Sequence, residues 1–129
     1  MKPEVRQHYL DSLGLVPPAV TALFDMNERF GEHFTDVRRL IFEDRSDGLP
    51  LAVKELVFVI IDAILGNVPA GIHHLRAARK AGLTETQLAD MFLVLYFETG
   101  ASNWGISGHR IWSEWAKCLD DDARGGSPA

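Results

Sequence analysis

The sequence predicts an all-α fold of six or seven helices, built as a single domain on a central antiparallel helix hairpin. Residues 1–119 are expected to form that domain and residues 120–129 a disordered tail. Three observations predict it. Apolar residues recur at helical spacing along most of the chain, while no segment offers a strand partner for another. Glycine and proline fall where helices end and begin. Between Lys54 and Thr84 an apolar helix, a Gly-Asn turn and a second helix follow one another with few residues to spare.

Each element has its own local reason. Residues 3–13 read as a first helix, with Pro3 tolerated in the first turn and Gly14 placed to end it. Pro17-Pro18 opens a second, carrying Val20, Leu23, Phe24 and Phe30, and Gly31 is expected to interrupt it. Phe34, Val37, Leu40 and Ile41 mark a third helix, and the polar run EDRSDGLP at residues 43–50 is the clearest loop. Residues 51–65 are apolar nearly all round, which predicts a buried central helix; length and the adjacent Ala and Leu residues favour helix over strand. Pro69 suits the first turn of the next helix and Gly82 its end. Thr84 with Gln87 forms a capping-box pattern that opens a helix over 85–99. Beyond Gly100, residues 101–119 carry Trp104, Ile111, Trp112 and Trp115, with Gly105 and Gly108 allowing close helix contact or a local break. The tryptophans read as core or subunit-interface residues.

Bulk properties narrow the function. The 129 residues suffice for one domain that buries about two-thirds of its unfolded surface. Hydrophobic content of 47% with 24% charged residues is that of a globular protein. A net charge of −5, with no basic cluster denser than Arg76, Arg79 and Lys80, lacks the footprint of a nucleic-acid binder. Cys118 is the single cysteine, so neither an intramolecular disulfide nor a cysteine zinc site can form. No apolar run reaches the roughly 18 residues that span a bilayer, and no signal-peptide pattern opens the chain. The expectation is a cytoplasmic protein with a small-molecule partner, bound neither to nucleic acid nor to membrane.

The chemistry-bearing residues gather around the hairpin. Glu55 stands near the start of the central helix, where the helix dipole favours a carboxylate whatever its role. Asp62 follows two turns later on nearly the same face, in an apolar run where a charge needs a partner; Arg76 or Arg110 could supply one. His73 and His74 point about 100° apart on the second helix. That divergence argues against a shared metal ion with His109, so no metal is expected. Asn67 can cap the second helix or hydrogen-bond a ligand oxygen. Glu98 interrupts the end of an apolar helix.

From Glu55 the spacing runs twelve residues to Asn67, three to Ala70, four to His74 and eight to the Gly82 of AGLT. That pattern, with the core HHLRAARKAGLT, resembles the carboxymuconolactone decarboxylase superfamily, which also contains the AhpD-like alkylhydroperoxidases. In the peroxidase branch the positions of Asn67 and Ala70 are a Cys-x-x-Cys pair. Both thiols are missing here, so the chain resembles the decarboxylase branch, although the Tyr-x-Gly-x-Pro-like stretch of those enzymes is reduced to Tyr96 and Gly100 in displaced spacing.

The resemblance implies a cofactor-free lyase that decarboxylates a small carboxylated lactone or related acid. It makes His74 the proton donor or oxyanion partner and Glu55 its carboxylate; by their place in the sequence and their chemistry, Asn67, His73, Arg76 and Glu98 are the candidate substrate-binding residues. It also implies a homotrimer or homohexamer, which agrees with two helices too apolar for so short a chain to cover. Two other readings stay open: a thiol peroxidase, which the missing cysteines oppose, and a non-enzymatic oligomeric binding protein.

Overall fold

A computed structural model describes residues 1–125. These form seven helices and no strand. They are α1 (Pro3–Leu13), α2 (Pro18–Met26), α3 (Glu28–Ile41), α4 (Leu51–Leu65), α5 (Val68–Lys80), α6 (Glu85–Thr99) and α7. The last begins as Ala101–Asn103, widens into a π-helical turn over Trp104–Gly108 and continues as α-helix over His109–Ala123. It therefore runs past residue 119, and residues 120–123 are helical where a disordered tail was expected. The rest of the expected tail, residues 126–129, lies outside the described residues.

The backbone divides at the 43–50 loop into two compact units, Met1–Gly48 and the residues from Leu49 onward. In the first, the Tyr9 and Thr35 hydroxyls bond at 3.0 Å, and Arg38 Nη1 reaches His8 Nε2 at 2.9 Å and Ser12 Oγ at 3.1 Å. The break between α2 and α3 comes at Asn27 rather than Gly31. Asn27 is extended, and its Oδ1 accepts from Phe30 N at 3.0 Å, a cap that starts a helix. Gly31 lies inside α3, where the Phe24 ring occupies the space a Cβ would need, 2.6 Å away.

In the second unit, α4 and α5 fold back on each other as the expected hairpin. Gly66 turns the chain in the left-handed region at φ 73°, and Asn67 caps α5. α7 packs against this pair so closely that a Cβ on Gly71 would lie 2.4 Å from Ile111 Cδ1. Val59, Ala63, Leu75, Leu88, Phe92 and Ile111 make the core.

The chain covers α4 on one face only, as expected of a helix too apolar for so short a chain to bury. Its buried residues are the stripe Glu55, Val59, Asp62 and Ala63, while Ile61, Ile64 and Leu65 are exposed. α6 behaves alike, with Leu93, Val94 and Phe97 outside. Both capping-box bonds between Thr84 and Gln87 are present at its start.

Candidate active site

The hairpin sets the registry that brings Glu55 to His74. Glu55 Oε2 and His74 Nδ1 are 2.6 Å apart, with side chains 3% and 13% exposed. Against a carboxylate acceptor Nδ1 carries the proton and donates it, which fixes the orientation of the ring. Phe58, one turn after Glu55, stacks on the imidazole with centroids 4.5 Å apart and planes at 24°. One helix thus holds both the edge and the face of the imidazole, while the other carries it.

Asp62 is buried on the same face, and its Oδ2 has no hydrogen-bond partner. Burial pushes its carboxyl above the ordinary value, opposed by the charge of His74. The arginine partner expected for it is elsewhere: Arg76 donates to Glu114, a buried residue of α7 that Lys117 also approaches at 3.5 Å. Burial also governs His73, whose basicity is lowered first by desolvation and then by Arg76 and His74; its Nδ1 has no partner.

The remaining candidates have contacts of their own. Asn67 is exposed and its Oδ1 accepts from Ala70 N at 3.5 Å, which is the helix-cap reading of that residue. Arg76 is engaged on the α7 side. Glu98 is exposed and borders an apolar groove of about 420 Å³ with Ile60, Ile64, Val94 and Leu95. Among the described residues no three His, Cys, Asp or Glu side chains gather as a metal site, and no helix is long and apolar enough to cross a membrane.

Two features escaped the sequence. Phe58 under His74 was legible only as a residue three after Glu55 on the same helix. The π-turn was signalled by Gly105 and Gly108, and Gly108 is required there, since a Cβ would come within 2.9 Å of Trp104 Cε3. Within this segment Asn103 Nδ2 donates to the Ala63 carbonyl at 2.9 Å and Ser107 Oγ donates to the same oxygen, anchoring the end of α4 beside Asp62. Trp104 and Trp112 line an apolar slot of about 260 Å³ with Phe92, Leu93 and Tyr96.

Comparison with known proteins agrees with this architecture. A comparison with curated proteins gave no match. A crystal structure from Burkholderia xenovorans LB400, of a protein assigned as a carboxymuconolactone decarboxylase, is similar at a TM-score of 0.81 and 27% identity, over 95% of this chain and 92% of that one. The sequence model of the Carboxymuconolactone decarboxylase family matches residues 28–104, more than half of the chain. By that match, the chain belongs to the carboxymuconolactone decarboxylase family.

Proposed function

We propose that the protein is a carboxy-lyase that decarboxylates a small carboxylated lactone or related acid, with His74 and Glu55 as its working pair. The observation that carries this reading is the 2.6 Å contact between a buried carboxylate and a slightly exposed imidazole, braced by Phe58. Family membership supports it. In the reaction the bond to the carboxylate carbon breaks, carbon dioxide leaves, and the electron pair passes into an unsaturated carbonyl as an enolate. His74 Nε2 then donates a proton to the enolate carbon, while Glu55 keeps Nδ1 protonated and the ring in place. The substrate itself supplies the electron sink, so this chemistry calls for no cofactor.

The working form is a homo-oligomer, a trimer or hexamer. The exposed apolar faces of α4 and α6 support it, since a face of this kind is the usual mark of an interface.

Carbon dioxide release from a panel of small carboxylated lactones tests the reading. His74→Gln is expected to lower turnover by about 100-fold or more while melting close to wild type. Glu55→Gln, which keeps a hydrogen-bonding group but removes the charge, should fall between the two. Wild-type turnover in both variants would refute the site, and loss of stability in step with activity would reduce the pair to a brace for the hairpin.

A further inference from the structure

α3 carries an apolar stripe that nothing in its own unit covers. Its buried residues are Gly31, Thr35 and Arg38. About 100° round the helix stand Phe30, Phe34, Val37 and Ile41, all exposed, at spacings of four, three and four residues. That spacing makes one continuous stripe, three turns and about 16 Å long. A helix with anchors at these intervals is the form that docks into an apolar groove.

α4 and α6 form such a groove. Ile60, Ile64, Met91 and Val94 line it, in a volume of about 420 Å³, and the acids Asp90 and Glu98 border it. The two carboxylates are eight residues apart on α6, about 12 Å along its axis, so the apolar floor is long enough for more than two turns of a helix. Among the described residues neither acid has an ion-pair partner. The stripe on α3 brings the opposite sign. Glu28, Glu32 and Asp36 stand about 130° or more away from it round the helix, and the last two are bound to Lys2 and Arg39. Arg29, which has no ion pair among the described residues, shares a recess with Phe30 and His33 at the start of the stripe.

We propose that the α4–α6 groove of one copy of the chain receives the α3 stripe of a second copy, with Arg29 meeting the acidic border. The proposal rests on the homo-oligomer reading above and says which surfaces make the contact. Shape, length and charge all match. Pairing α6 with its own copy would instead set four carboxylates, two Asp90 and two Glu98, against one another, and like charges brought together oppose association. A contact between unlike surfaces runs head to tail and closes as a ring, which suits a trimer and not a two-fold dimer.

Crosslinking of the full chain tests this. In a Cys118→Ala background, Val37→Cys and Val94→Cys are made in chains of two different masses, mixed, and treated with a short bismaleimide. The expected product joins one chain of each mass and forms from the mixture but from neither variant alone. Val94→Cys chains that crosslink with each other would show α6 facing its own copy and overturn the proposal. So would a doubly substituted chain that crosslinks only within itself. Without crosslinking, Val37→Asp and Val94→Asp should each weaken assembly by about 30-fold or more in light scattering, the loss expected of a central contact. Arg29→Glu should weaken it by about fivefold at low salt, and an unchanged assembly there overturns the charge match and the proposal with it. Wild type that assembles while all three of these variants assemble equally well would refute this interface and leave the oligomer standing, whereas a monomeric wild type would remove both.

Discussion

The imidazole of His74 lies on the ring of Phe58, with centroids 4.5 Å apart and planes at 24°, while Glu55, one turn earlier on the same helix, binds its Nδ1. Phe58→Leu keeps apolar bulk and loses the stacked face. The expected cost is about 1 kcal/mol, or roughly 4 °C in melting temperature, read by calorimetry. A variant that melts like wild type would show that the stack contributes nothing to holding the ring.

Burial gives Asp62 and His73 opposite effects on stability as pH changes. The Asp62 carboxyl is raised above 3.8 in the folded state, so its contribution is full below that value and is lost as pH rises through the folded value. Asp62→Asn is therefore expected to stabilise the protein at neutral pH, by about 1 kcal/mol, and to flatten this part of the profile. His73 is lowered from 6.5, so its contribution is present above that value and is lost as pH falls through the folded value. His73→Gln should lose less stability than wild type between neutral pH and mild acid. Melting curves across that range check both signs, and parallel curves for variants and wild type would contradict them.

Cys118 is 1% exposed, and burial pushes its thiol up, with only partial relief from Arg79 and Arg76. Thiol peroxidases need an accessible thiolate with a resolving partner. Alkylation of Cys118 in the native protein is expected to be slower than in denaturant by about 100-fold or more, and Cys118→Ala should leave hydroperoxide consumption at its background level. Hydroperoxide consumption that disappears with Cys118→Ala would reverse this.

Phe97 is 90% exposed on α6, beside Leu93 and Val94. If this face joins copies of the chain, Phe97→Asp places a charge in the interface and should yield smaller species in light scattering at micromolar concentration. A wild-type protein that is monomeric when dilute would remove the oligomer from the reading.

Much of the fold is written locally, which is why it was legible. Pro3, Gly14, Gly66 and the Thr84–Gln87 pair mark helix ends through contacts within four residues, and those ends fall where the sequence puts them. The approach of Glu55 to His74 was legible for a related reason, since a short turn between two helices leaves little freedom in their registry. Asn27 shows how local signals compete: its cap fixes a helix start four residues before the glycine expected to mark the break. The pairing of Arg76 with Glu114 and the unpaired Oδ2 of Asp62 were not legible. They depend on how α7 is rotated against the hairpin, and nothing within reach of either residue in sequence encodes that rotation. The outward faces of α4 and α6 were legible as apolar surface beyond what so short a chain can cover, but which residues stand on them depends on how the helices are rotated in the fold.

The π-turn at Trp104–Gly108 sets the phase of everything after it. A residue of α-helix advances the side-chain direction by about 100°, and a π-turn accommodates one residue more per turn than the ladder it interrupts. Removing a single residue from 104–108 would leave α7 a helix but swing its downstream half by about that angle. Ile111 would leave Gly71, Glu114 would leave Arg76, and Trp115 would leave Arg79, whose guanidinium now lies 5.3 Å from the centre of its ring. The chain measures that angle by length, so insertions and deletions here carry a penalty that substitutions on the helix surface do not.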